Sequence, residues 1–86
     1  MSSFAQANRE SAARGQGPEE FFKLGMMCST GQSMPIDMVA AHKWFNLAAL
    51  RGFSDAVRLR NEVAAEMSAA EIAAAQRAAR AWLTKH

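Results

Sequence analysis

Between Leu24 and Ala56 the chain is punctuated by residues with little or no side chain at intervals that suit helices. Gly25, Gly31, Ala41, Ala48, Ala49, Gly52 and Ala56 are set around the large pair Trp44-Phe45. Glycines at the ends of the runs supply turns, and apolar residues inside them return every three or four positions, which is the repeat of one helical face. Such a pattern predicts a tight pair of antiparallel rods, with Trp44 large enough to dominate the core between them.

Composition points the same way. Half of the 86 residues are hydrophobic and tyrosine is absent. Much of that half is alanine, which favours closely packed helices over strands rich in β-branched and aromatic residues. A chain of this length makes one domain with a small core and modest stability.

Four helices are expected. Pro18 suits a first helical position, with Glu19 and Glu20 complementing the positive end of the dipole, and Phe21, Leu24, Gly25 and Cys28 share a face up to Thr30. Gly31 then ends the helix. Asp37 caps a second helix reaching Arg51, with Ala41, Trp44, Phe45, Ala48 and Ala49 on its stripe, and Gly52 closes it. Ser54 is expected to cap a third, Asp55 to Met67, with Ala56, Leu59, Val63 and Met67 inside and a weak Arg58–Glu62 pair outside. Ser68 and Glu71 have the spacing of a capping box for a fourth helix, Ala69 to Lys85, which buries Ile72, Trp82 and Leu83. Short connections make neighbouring helices antiparallel. Residues 1–17 carry one large apolar residue, Phe4, and are expected to form a flexible tail, with a helix over Phe4 to Arg14 the alternative. The folded domain is then 18–86.

The residues Leu24-Gly25, Gly31, Met34, Asp37, Ala41, Trp44-Phe45, Ala48-Ala49, Gly52 and Ala56 resemble the Sel1-like repeat, a relative of the tetratricopeptide repeat. The resemblance covers about Glu20 to Ala56, one full repeat. It implies an all-α fold of antiparallel helical hairpins, and a non-enzymatic role in protein–protein interaction, commonly as an adaptor in bacterial or eukaryotic pathways. Three positions depart from the family pattern. Cys28 stands where tyrosine is usual, Ser33 where a second turn glycine is usual, and Leu47 replaces a frequent basic residue, adding apolar surface for helix 4 or a second protein. Because solenoids generally need about three repeats, helix 3 is expected to begin a degenerate second repeat, with helix 4 as its partner and cap.

A tetratricopeptide-like hairpin lines its concave surface mainly with the first helix. Its outward positions here are Glu19, Phe22, Met26, Ser29 and Thr30, and Phe22 and Met26 together would grip an apolar side chain from a partner protein or peptide. The blander alternative is that Phe4 or helix 4 covers that pair inside the same molecule. A structural accessory subunit or homodimer burying Phe22, Met26 and Leu47 is the other non-enzymatic reading.

Catalysis has less to build on. Cys28 with His42 as nucleophile and base would make a cysteine-dependent hydrolase, but no acid or oxyanion donor accompanies them. His42 is expected on the wet side of helix 2, and Cys28 in the core. One cysteine and two distant histidines offer no zinc spacing, and no phosphate loop is present, so neither metal nor cofactor is expected. A formal charge of +2, from ten basic and eight acidic residues, makes no nucleic-acid footprint. Arg51, Arg58, Arg60, Arg77 and Arg80 read as a solvated face with local pairs. No run approaches the roughly 18 apolar residues of a membrane span. Met1 to Ala7 lacks the basic start and greasy run of a secretion signal, so the cytoplasm is the expected compartment.

Overall fold

A computed structural model of the chain describes residues 17–85, in which four helices follow one another without a strand. They are α1 (Pro18–Thr30), α2 (Met38–Leu50), α3 (Asp55–Ala64) and α4 (Ala69–Lys85). The tail expected over 1–17 and the helix considered over Phe4 to Arg14 lie, but for Gly17, outside the described residues.

Local chemistry sets most of the boundaries. Pro18 begins α1 with Glu19 and Glu20 in the first turn, and Gly31 ends it in the left-handed region at φ 79°. The connection is tied at its far end: the Asp37 N–H donates to the Cys28 carbonyl (2.9 Å), and the Asp37 carboxylate accepts from the Ala40 N–H (3.0 Å). Ser33 also adopts a positive φ, 68°, a conformation that costs a non-glycine residue about 1–2 kcal/mol. α2 closes in a Schellman motif. The Phe53 N–H reaches the Ala48 carbonyl, the Gly52 N–H reaches that of Ala49, and Gly52 itself has φ 95°. Before α4 the capping box forms in both directions, the Ser68 N–H donating to Glu71 Oε1 (2.8 Å) and the Glu71 N–H to Ser68 Oγ (3.1 Å).

Two boundaries differ from expectation. Ser54 makes no side-chain cap. It is already helical in backbone angle, and the first amides of α3 are satisfied by carbonyls three residues back, Ala56 N–H to Phe53 and Val57 N–H to Ser54. At its other end α3 stops at Ala64, three residues before Met67. Glu66 and Met67 close tight turns onto the Val63 and Ala64 carbonyls, reorienting the chain for the box at Ser68.

The helices are organised around α2, which packs against each of the other three. α1 runs antiparallel to it. Phe21 and Phe22, early in α1, meet Trp44 and Phe45, midway along α2, at centroid distances of 5.7 and 5.6 Å, while the Cys28 carbonyl near the end of α1 accepts from the Asp37 N–H just before α2. The approach is permitted by Gly25, because a Cβ there would lie 2.5 Å from Phe45 Cε1. α3 returns along α2, and the Arg60 guanidinium donates from Nη1 to Asn46 Oδ1 (3.0 Å). α4 lies on α2 through the buried alanines Ala75 and Ala79. Trp82 meets Phe21 edge-on at 5.1 Å and Trp44 at 6.3 Å, so one aromatic cluster joins three helices.

This arrangement corrects several expectations. α3 and α4 do not pair as a second hairpin, since each rests on α2 and they touch only marginally. Phe21, Phe45 and Leu47 are the large, fully buried side chains, and Trp44 is half-buried above them. Leu47 therefore offers no surface to a second protein. On α4, Trp82 and Ile72 are half-buried, whereas Leu83 is 38 % exposed near the helix end. His42 is also misplaced by the sequence reading, being only 4 % exposed. α2 has helices on several sides, so it has little wet face to give it.

Two substitutions test this geometry by urea denaturation. Gly25→Ala should cost about 2 kcal/mol, as overpacking does in a close-packed core, although the same change in an exposed helix gains about 1 kcal/mol. Ser33→Gly should gain about 0.5–1 kcal/mol by relieving the left-handed strain, less the entropy glycine adds to the unfolded chain. A neutral or stabilising Gly25→Ala would show that the Gly25–Phe45 contact does not set the helix spacing.

Candidate functional site

Because α1 and α3 both rest on α2 and pair little with each other, a groove is left between them. Its volume is about 250 Å³. Met26, Ser29 and Thr30 form one wall at the i, i+3, i+4 spacing of a single face of α1. Leu59, Glu62, Val63 and Glu66 form the other at i, i+3, i+4 and i+7, on α3 and the turn after it. Met38 and Phe45 of α2 make the floor.

The apolar part is continuous: two methionines, Phe45, Leu59 and Val63. The thioethers adapt to different shapes more readily than branched side chains do. Ser29 and Thr30 hydroxyls donate to the Met26 carbonyl at 3.2 and 2.7 Å, which leaves each oxygen able to accept a further hydrogen bond. Glu62 accepts from Arg58 at 3.1 Å, an i, i+4 pair with both side chains about two-thirds exposed at 65 and 60 %. A pair so exposed holds weakly. Glu66 makes no ion pair among the described residues.

Of the five positions singled out from the sequence, the structure brings Met26, Ser29 and Thr30 together in this groove. Glu19 is exposed at the other end of α1. Phe22 lies half-buried between Phe45 (5.6 Å) and Phe53 (4.7 Å), so it supports the floor from behind. The alternative that Phe4 covers Phe22 and Met26 lies outside the described residues. The residues that sequence reasoning missed are those of α3. Part of the signal is present in the sequence, since Leu59 and Val63 share the inner face of the third helix, although Glu62 is expected outside.

A second, more open hollow of about 550 Å³ lies over the α1–α2 connection, lined by Cys28, Met34 to Ala40 and Glu71. The Cys28 thiol is buried and donates to Met34 Sδ at 3.7 Å. Burial, helped by the Asp37 carboxylate and partly offset by Lys43, pushes its pKa up, so the thiolate is disfavoured. Among the described residues His42 Nδ1 has no hydrogen-bond partner. Burial and then the Arg60 charge hold the His42 pKa below its ordinary value, opposed in part by the dipole of its own backbone carbonyl. No hydrogen bond joins Cys28 to His42 among the described residues.

Among the described residues no group of three or more His, Cys, Asp or Glu is placed to hold a metal ion, and no helix is long and apolar enough to cross a membrane. Several basic residues have internal partners. Lys43 lies 3.9 Å from the Trp44 ring centroid, Arg51 lies 5.9 Å from that of Phe21, and Arg58 and Arg60 bond to Glu62 and Asn46. No family model matches the chain, and neither does a curated protein or a solved structure.

His42 yields a pH prediction. With its folded pKa below the unfolded value of about 6.5, the unfolded chain binds the proton more readily. Stability is therefore full above about pH 6.5 and falls as pH drops from there toward the folded pKa. His42→Leu should remove this component, measured as the difference in urea midpoint between about pH 8 and about pH 5.5. An unchanged difference in the variant would show that other groups carry it.

Proposed function

We propose that this chain is a non-enzymatic protein-interaction module of the Sel1-like kind, which holds a segment of a partner protein in the groove between α1 and α3. The observation that carries this reading is the groove itself: an open apolar trough with walls from two helices and a floor from a third. Amphipathic helices and extended peptides are held by such troughs through a few anchoring side chains. The repeat-like residues from Leu24 to Ala56 support the same reading, because they serve spacing and turning in this fold, not chemistry. An intracellular setting fits a lone thiol that has no disulfide partner.

Self-association is a second reading, favoured by Ile36 and Leu50, each 61 % exposed. A structural accessory role would use the same surfaces. The two classes separate on where a ligand acts, since neither residue lines the groove.

Selection of displayed peptides on the whole chain, followed by amide chemical-shift mapping, tests the groove. The expected result is a cluster of shifts at Met26, Ser29, Thr30 and Leu59, lost in Ser29→Trp and in Thr30→Trp, with each variant retaining its thermal midpoint within a few degrees. Shifts centred on Ile36 and Leu50, or binding indifferent to both variants, would reject the groove as the docking site. Phe22→Asp should instead unfold the chain, because it places a carboxylate between Phe45 and Phe53.

A further inference from the structure

Resting on the reading of the α1/α3 groove as a docking site, we infer that its partner is a peptide segment presenting one or two apolar side chains flanked by lysine or arginine. Size makes the first argument. At about 250 Å³ the groove is smaller than the roughly 300–1,000 Å³ of sites that enclose a small molecule. It has room for one or two side chains whose backbone stays outside.

Charge makes the second. The protein as a whole is cationic, with a formal charge of +2, yet both charged residues of the groove, Glu62 and Glu66, are acidic. They lie one turn apart on the same face, beside Leu59 and Val63. At physiological salt, exposed charges more than about 8 Å away are largely screened, so a ligand seated there experiences these two carboxylates more than the net charge. Glu66 has no cation of its own among the described residues, and Glu62 is held only by the exposed Arg58 pair, which a ligand cation can replace. Ser29 and Thr30 on the opposite wall add acceptor oxygens and no positive charge. An anionic segment would meet repulsion at this rim, and an uncharged apolar one would leave the carboxylates unanswered.

Fluorescence anisotropy of the full 86-residue chain with three labelled peptides of equal length provides the test. One has a leucine centre with lysine and arginine flanks, one the same centre with glutamate flanks, and one the basic flanks with a serine centre. The basic, leucine-centred peptide should bind roughly tenfold tighter than either other, with affinity falling as salt rises. The exposed double variant Glu62→Gln/Glu66→Gln should bring its advantage over the glutamate peptide down to about twofold. Equal or stronger binding of the glutamate peptide, still lost on Thr30→Trp, would overturn the partner chemistry while leaving the groove in place. Binding of the serine-centred peptide as tight as that of the leucine peptide would reduce the contact to diffuse charge and overturn the inference. If no peptide responds to Thr30→Trp, the groove reading itself fails. Sedimentation that rises with concentration and is stopped by Thr30→Trp would assign the groove to a second copy of the chain, against the inference.

Discussion

The ring of Phe45 occupies the space that Gly25 leaves empty, and the rest of the architecture depends on that contact. With an ideal Cβ at Gly25 only 2.5 Å from the ring, any larger residue would force α1 and α2 apart or turn Phe45 out of the core. The close approach brings Phe21 under Trp44 and Phe22 onto Phe45. It also makes α2 a platform with helices on several sides, which explains how so short an element buries Ala41, His42, Phe45, Leu47 and Ala48 together. A small protein has few ways to build a core, and a central helix shared by three neighbours is an economical one.

That central position also explains which features were readable in advance. Signals acting within a few residues were read correctly: Gly31 in the left-handed region, Asp37 as a cap, Gly52 ending α2 and the reciprocal Ser68–Glu71 bonds. Features that depend on what lies across the fold were not. His42 sits on a helix with a polar-looking face, and it is the packing of other helices around α2 that takes water from it. Leu83 continues an apolar spacing, yet it stands one residue round the helix from Trp82, whose ring takes the contact with Trp44 and Phe21. Ser54 has the right identity for a cap, but the Schellman turn immediately before it already aligns the backbone and supplies the carbonyls.

The candidate site shows the same division. Met26, Ser29 and Thr30 could be found because they share one face of one helix. Phe22 shares that helix and much of that face, but its ring is claimed by Phe53, which follows the turn after α2. The opposite wall required knowing that α3 lies on α2 without closing against α1. No periodicity in a single segment contains that fact, since it is set by the relative tilt of two elements on a third.

A groove of this kind and a tight core are competing uses of the same surface. Were α1 and α3 to pack fully, the half-buried Met26 and Leu59 would be covered as Val63 already is, and the trough would close. The residues at the rim prevent this. Ser29 and Thr30 are too short to span the gap, and Glu62 and Glu66 resist the desolvation that closure would impose. The helices that flank the groove are thus each secured elsewhere, α1 by the aromatic cluster with Trp82 and α3 by Ala56 and Val63 in the common core. Stability is concentrated on α2, and the apolar trough between its two neighbours stays open because neither neighbour needs the other to stay folded.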